Sequence, residues 1–149
     1  MFSHPDDSYE ARMTTVGHFM PGWSARIISP DTGEEAGLDE PGEIAVKGPA
    51  LFTGYLNQPD LTEASHTPDG YFRTGDFGSM SADGLLRFRG RLKDQMKVGG
   101  ENVSALEVES FLAGHPSVRL AQVVPIPDEK YGEIPAAFIE CAPNAPMTA

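Results

Sequence analysis

The sequence predicts an α+β fold, in which a β-rich region is followed by a small unit of strands and one helix. Short apolar or alternating runs separated by turn clusters fill the chain up to about residue 92. One helix with clear start and stop signals follows, and two further strand patterns come after it. At 149 residues, the chain can hold one ordinary domain, or part of one and a small second domain.

The strand predictions rest on period-two or continuous apolar runs bounded by turn residues such as PDTG, DEPG, TPDG and SADG. These runs are residues 24–28, 43–46, 85–89 and 95–98. Residues 1–13 are polar and acidic with no periodicity, so we expect a loop or a cut end there. Gly99 and Gly100 predict the turn of a β-hairpin, because two adjacent residues with positive φ suit Gly-Gly.

A helix is predicted over residues 105–113. Ser104 is followed three residues later by Glu107, which is the capping-box pattern. Gly114 is expected to end the helix in the left-handed conformation, and Pro116 prevents its continuation. Its predicted apolar stripe consists of Leu106, Phe111 and Leu112.

Two strands are predicted after this helix, over residues 118–124 and 136–140. The intervening segment PIPDEKYGEIP, residues 125–135, is expected to be a loop because of its prolines and charges. The residues after Cys141 are also expected to be a loop.

Composition restricts the classes of partner. The formal charge of −11 comes from 22 acidic and 11 basic side chains, so nucleic acid and anionic membrane surfaces are not expected to bind. Cys141 is the only cysteine, and the four histidines have no short ligand spacing, so no metal site is predicted. No apolar run is long enough to span a bilayer, no signal peptide is evident, and we expect a cytoplasmic protein.

Four charged residues could serve a site. Asp76 is expected in a glycine-flanked turn between two strands, where a carboxylate can accept hydrogen bonds from a ribose diol or cap its own backbone. The guanidinium of Arg91 could contact the same nucleotide or form a surface ion pair. Lys93 and Asp94 stand at the junction of the two regions, where they are either a hinge or simply solvated.

Four segments in order resemble the adenylate-forming superfamily, which includes acyl-CoA synthetases, peptide-synthetase adenylation domains and luciferases. They are TTVGHFMPGWSARIISPDTG, GEIAVKGPALFTGYLNQPDLT, GYFRTGDFG and GRLKDQMKVGGENVSALEVE. The resemblance extends from about Thr14 to Glu140 and leans toward the free-standing acyl-CoA synthetases of the fatty-acid–CoA ligase type. It implies the β-rich end of the large adenylating domain at residues 1–92, and part of the small mobile domain at residues 93–149.

The same resemblance implies roles for the candidate residues. Asp76 would bind the ribose of ATP and AMP, and Arg91 would contact that nucleotide. Lys93, beside Asp94, would be the hinge about which the small domain turns. The segment Gly99, Gly100 and Glu101 would line the path of the pantetheine arm.

The implied reaction joins a carboxylic acid to CoA through an acyl-AMP intermediate, with ATP, CoA and Mg²⁺ as cofactors. The family's phosphate-binding loop and its late catalytic Gly-Lys are not in this sequence. We therefore expect a carboxyl-terminal portion that is inactive alone and that dimerises or is poorly soluble through exposed apolar surface. A carrier protein or oxygen as acceptor, and a non-catalytic interaction module, stay open as alternatives.

Overall fold

The computed structural model describes residues 1–143 and has two antiparallel four-stranded sheets. Contacts divide the chain between Phe88 and Arg89 into an N-terminal and a C-terminal unit. The predicted α+β class is confirmed. The domain boundary expected between residues 92 and 93 stays a prediction, and most of the loop expected after Cys141 lies outside the described residues.

The first sheet has the strand order β1-β2-β3-β4. Its strands are β1 (Ser24–Ile28), β2 (Gly42–Lys47), β3 (Phe72–Met80) and β4 (Leu86–Arg91). Ile27, Ile44 and Leu86 are each at most 5% exposed and form the core on this sheet. Alternating apolar side chains from neighbouring strands thus meet on one face, as a half-buried sheet requires.

Two short helices accompany this sheet, and neither was predicted. Helix α1 (Tyr9–Thr14) begins where the Ser8 hydroxyl accepts a hydrogen bond from the Ala11 amide at 3.0 Å. The loop expected over residues 1–13 is therefore wrong for its second half, because a single serine cap suffices for one and a half turns without any buried face. Helix α2 (Pro59–Ala64) has proline in its first turn, a position where the missing N–H costs nothing.

The second sheet has the order β6-β5-β8-β7, with helix α3 (Ala105–Ala113) packed on it. Its strands are β5 (Gln95–Val98), β6 (Glu101–Ser104), β7 (Val118–Asp128) and β8 (Gly132–Cys141). Met96, which is fully buried, lies at the centre of its core with Ala105 and Val123. The helix occupies residues 105–113 as predicted, and the Ser104 hydroxyl accepts from the Glu107 amide at 3.4 Å.

Two details of α3 differ from the prediction. Gly114 has φ −68° and is right-handed, so the helix ends without a left-handed glycine. Of the predicted stripe, only Leu112 packs on the core, whereas Leu106 and Phe111 are 45% and 84% exposed. Val108 takes the core-facing place instead, because it lies four residues before Leu112 on the same helix face.

The segment expected to be a loop at residues 125–135 is mostly strand. Strands β7 and β8 pair from Val118↔Cys141 to Asp128↔Gly132 and leave only a tight turn between them. The Asp128 carboxylate accepts from the amides of Lys130 and Tyr131 at 2.8 Å each, which fixes that turn. No helix among residues 1–143 is long and apolar enough to cross a membrane.

Candidate functional site

Asp76 lies within strand β3, at a bulge in its pairing with β2. Glu43 pairs with Phe77, and pairing resumes at Ala45 with Arg73, so Ile44 alone stands opposite residues 74–76. Gly75 has φ +70°, a conformation that favours glycine. The prediction of a turn between two strands was therefore wrong, and the irregularity is a bulge inside one strand. Bulges of this kind change the direction of a side chain without ending the sheet.

A buried carboxylate holds the bulge. Glu43 is 4% exposed, and its Oε2 atom accepts hydrogen bonds from Arg73 Nε at 2.8 Å and Nη2 at 2.6 Å. Its Oε1 atom accepts from the Gly75 amide at 3.1 Å. Both oxygens are thus satisfied, as a buried charge requires. The geometry of the segment that precedes Asp76 consequently depends on Glu43.

Thr74 supports the same bulge from the other side. Its hydroxyl donates to the Ile44 carbonyl at 2.7 Å and accepts from the Asp76 amide at 3.0 Å. These bonds replace the ladder hydrogen bonds that the bulge interrupts. Asp76 itself is half-buried, so its backbone is fixed while its side chain stays within reach of solvent.

Sequence reasoning missed the roles of Glu43 and Thr74. The available signal for Glu43 was a single acidic residue in residues 42–46, a run that is otherwise apolar. A buried acid in such a run requires a partner, and Arg73 supplies one in the neighbouring strand.

The remaining candidates belong to the C-terminal unit. Arg91 is the last residue of β4, and Lys93 and Asp94 lie in a 3₁₀ turn over Leu92–Asp94. The side chains of all three are exposed. The three residues lie within four positions of one another, where β4 gives way to β5.

The backbone just before this turn is held by polar side chains. The Arg89 carbonyl accepts from the Ser104 hydroxyl at 2.9 Å. Gln95 Nε2 lies 3.5 Å from the Arg89 carbonyl oxygen and 3.4 Å from that of Arg91. Ser104 therefore caps α3 and anchors residue 89 with one hydroxyl group, a second role that the sequence did not indicate.

Gly99 and Gly100 form the turn of the β5–β6 hairpin, which confirms the prediction of a tight turn there. Their φ angles are +60° and +94°, and Val98 pairs with Glu101. The Gly99 amide donates to the Tyr131 carbonyl at 2.8 Å. Apart from Gly100 itself and its two chain neighbours, no heavy atom of residues 1–143 lies within 4 Å of the position that a Cβ of Gly100 would take, so this backbone is open to a narrow ligand.

The structure thus describes two separate groups of candidate residues, Asp76 in one unit and the others in the second. Among residues 1–143, no group of three or more histidine, cysteine, aspartate or glutamate side chains could hold a metal ion.

Two family models match the chain. The model of the AMP-binding enzymes matches residues 1–56, and the model of the C-terminal domain of AMP-binding enzymes matches residues 107–149. The chain belongs to the AMP-binding enzyme family. The first match lies in the region where the sequence motifs predicted the large domain, and the second lies in the region where they predicted the small domain.

Relatives of this AMP-binding family protein are named ligases and synthetases. The mitochondrial medium-chain acyl-CoA ligase of Rattus norvegicus is 40% identical over 129 residues, which is 87% of this chain and 21% of the relative. ATP-bound MatB of Rhodopseudomonas palustris is 36% identical with a TM-score of 0.82, over 91% of this chain and 27% of MatB.

A further similar structure is the o-succinylbenzoate-CoA synthetase MenE of Bacillus subtilis with its acyl-adenylate intermediate. It is 33% identical with a TM-score of 0.83, over 92% of this chain and 27% of MenE. The chain therefore spans about a fifth to a quarter of the length of these proteins.

Proposed function

We propose that this chain is the part of an acyl-CoA synthetase that binds the nucleotide ribose and carries the hinge. The observation that carries the proposal is the bulge at Asp76. The buried Glu43 carboxylate holds this bulge, and the chain that contains it is similar to acyl-CoA ligases. An ionised carboxylate accepts hydrogen bonds only, so it suits two adjacent ribose hydroxyls. The hydrogen bond from the Asp76 amide to the Thr74 hydroxyl fixes the backbone that carries this carboxylate before the ligand arrives.

The proposed reaction has two steps. A carboxylate oxygen attacks the α-phosphorus of ATP, a phosphoanhydride bond breaks, and acyl-AMP and pyrophosphate form. The sulfur of CoA then attacks the acyl carbon, AMP leaves, and the thiol proton is released. In both steps Asp76 would hold the ribose, and the exposed guanidinium of Arg91 would contact the same nucleotide.

Between the steps, the C-terminal unit would turn about Lys93 and Asp94. The 3₁₀ turn that contains them is short and has no buried residue, but a change of backbone angles there would break the hydrogen bonds that Ser104 and Gln95 make across it. After this rotation, the Gly99–Gly100 turn, whose backbone is open at Gly100, would border the pantetheine arm of CoA, with Glu101 beside it.

We also propose that the chain does not complete the reaction by itself. It spans 21% to 27% of the relatives named above, and it has no glycine-rich phosphate loop among its 149 residues. When bound together with ATP, Mg²⁺ would neutralise part of the phosphate charge.

Binding of AMP to the 149-residue chain tests the ribose assignment. We expect saturable binding in a heteronuclear NMR titration, with shifts at Gly75 and Asp76, and loss of binding in Asp76→Ala. Asp83→Ala is the control, because Asp83 is an exposed aspartate in a different turn and removes the same charge. Equal binding by both variants, or shifts only at distant residues, would exclude Asp76 as the ribose ligand.

The acceptor is tested separately, in a complete enzyme that contains this chain. Formation of acyl-CoA with free CoA supports the synthetase proposal. Product with a phosphopantetheine carrier protein and none with CoA would assign the chain to the carrier-dependent enzymes instead.

A further inference from the structure

Strand β7 forms the open edge of the second sheet. The order β6-β5-β8-β7 leaves one side of this 11-residue strand without a neighbour among the described strands. A long edge strand exposes N–H and C=O groups that can pair with another chain. How this edge is protected therefore bears on the behaviour of the protein in solution.

One outward N–H group of β7 is occupied by a side chain. The Val123 amide donates to Glu109 Oε1 of α3 at 2.8 Å. Since β7 pairs with β8 on one side only, this amide points toward the open edge. In an antiparallel pair, alternate residues direct their N–H groups to the same side.

The next two outward positions are prolines. Pro125 and Pro127 follow Val123 at intervals of two residues in the same register with β8. Proline has no N–H group, and edge strands are the usual place for it in sheets. Three successive outward positions of β7, starting at Val123, therefore offer no available donor.

The same chemistry recurs elsewhere in the sheet. The Lys97 amide of β5 donates to Glu133 Oε2 at 2.8 Å, close to the single register pair Val98↔Gly132 that joins β5 to β8. A carboxylate thus takes the place of a strand carbonyl at two positions where the ladder is incomplete. The repetition argues that the Glu109 bond has a specific role in closing the ladder.

Apolar side chains beside the edge make this protection necessary. Leu120, Ile126 and Phe138 are 56%, 40% and 67% exposed. Phe138 pairs with Gln122, which lies on the same face of β7 as Leu120 and Ile126 because side chains alternate along a strand. All three apolar side chains therefore share one face of the β7–β8 hairpin. A strand added to β7 would extend this face and bury part of it. Hydrophobic burial would therefore reinforce backbone pairing.

We propose that Glu109 closes the β7 edge against a second copy of this chain, whose own β7 would otherwise pair with it antiparallel. Such a contact is isologous, because the same strand is used by both copies. Glu109 supplies the acceptor for Val123, and Pro125 and Pro127 withhold the following donors. This inference does not depend on the proposed enzymatic function.

The test compares Glu109→Ala with Glu109→Gln and Glu129→Ala in the 149-residue chain. We expect the Val123 amide to exchange with solvent roughly tenfold faster in Glu109→Ala, since one hydrogen bond is lost. Glu109→Gln keeps an acceptor oxygen and should stay near the wild type. Glu129→Ala removes an equal charge from the exposed β7–β8 turn, outside α3, and should change neither exchange nor association.

Association is measured by size-exclusion chromatography with light scattering over a concentration series. Glu109→Ala should associate at a roughly tenfold lower concentration than Glu109→Gln. The double variant Pro125→Ala/Pro127→Ala restores two donors without changing α3, and it should also associate more readily. Unchanged exchange of Val123 in Glu109→Ala, or unchanged association of both the Glu109→Ala and the double-proline variants, would overturn the proposal.

Discussion

Replacing Ser104 by alanine removes two hydrogen bonds that one hydroxyl makes. Ser104 is 8% exposed, accepts from the Glu107 amide at 3.4 Å and donates to the Arg89 carbonyl at 2.9 Å. Loss of a serine cap costs about 0.5–2 kcal/mol, and the length of this bond favours the lower end. Loss of the buried bond to Arg89 adds about 1 kcal/mol. We therefore expect Ser104→Ala to lower the free energy of unfolding of the C-terminal unit by about 1.5–2 kcal/mol.

Amide exchange measured by NMR is the appropriate assay, because it reports the stability of α3 and β6 directly. Ser104→Thr keeps the hydroxyl, so it should lower the free energy of unfolding by less than about half as much as Ser104→Ala does. Ser110→Ala is a matched control on the same helix, since that hydroxyl only donates to the Leu106 carbonyl and is exposed. A loss below about 0.5 kcal/mol in Ser104→Ala, or equal losses in Ser104→Thr and Ser104→Ala, would refute the double role.

Glu43→Gln should lower the free energy of unfolding of the N-terminal unit by about 1–3 kcal/mol, since Arg73 loses its charged partner, and the affinity for AMP should fall as well. Urea unfolding measures the stability and NMR titration measures the affinity. If neither changes, Glu43 does not support the site. Gly100→Val should lower the free energy of unfolding by about 1–2 kcal/mol, because φ +94° strains a valine backbone even though there is space for its side chain. Thermal unfolding measures this loss, and an unchanged melting temperature would contradict the prediction. The hydrogen bond from Arg119 lowers the pKa of Glu140 below 4.5, so this pair stabilises the fold above that pH and the benefit disappears as pH falls through the lowered value. A carboxyl NMR titration should show that pKa returning toward 4.5 in Arg119→Gln, and an unchanged value would exclude the pair as the cause.

Elements with local signals were predicted well from the sequence. The strand over residues 24–28, the Gly99–Gly100 turn and the helix with its Ser104 cap all depend on residues within a few positions of one another. Capping, turn formation and alternation are local physical effects, so their patterns survive without knowledge of the fold.

Features that depend on distant partners were not predictable. The bulge at Asp76 exists because Glu43, in another strand, bonds Arg73 and Gly75, and no local pattern in GYFRTGDFG indicates that partner. Pro125 and Pro127 suggested a loop, but β7 is an edge strand, where proline costs no ladder bond. The exposure of Leu106 and Phe111 likewise depends on a distant element, because the position of β7 decides which face of α3 is buried.

The contact between the two hairpin tips of the C-terminal unit offers a place for a reporter group. Because the Gly99 amide is bonded to the Tyr131 carbonyl, the β5–β6 turn and the β7–β8 turn are mechanically joined at that point. Glu129 is exposed two residues before Tyr131, so a fluorophore attached there should disturb little. Such a label would follow the movement of the glycine turn in a complete enzyme while leaving every atom of that turn unmodified.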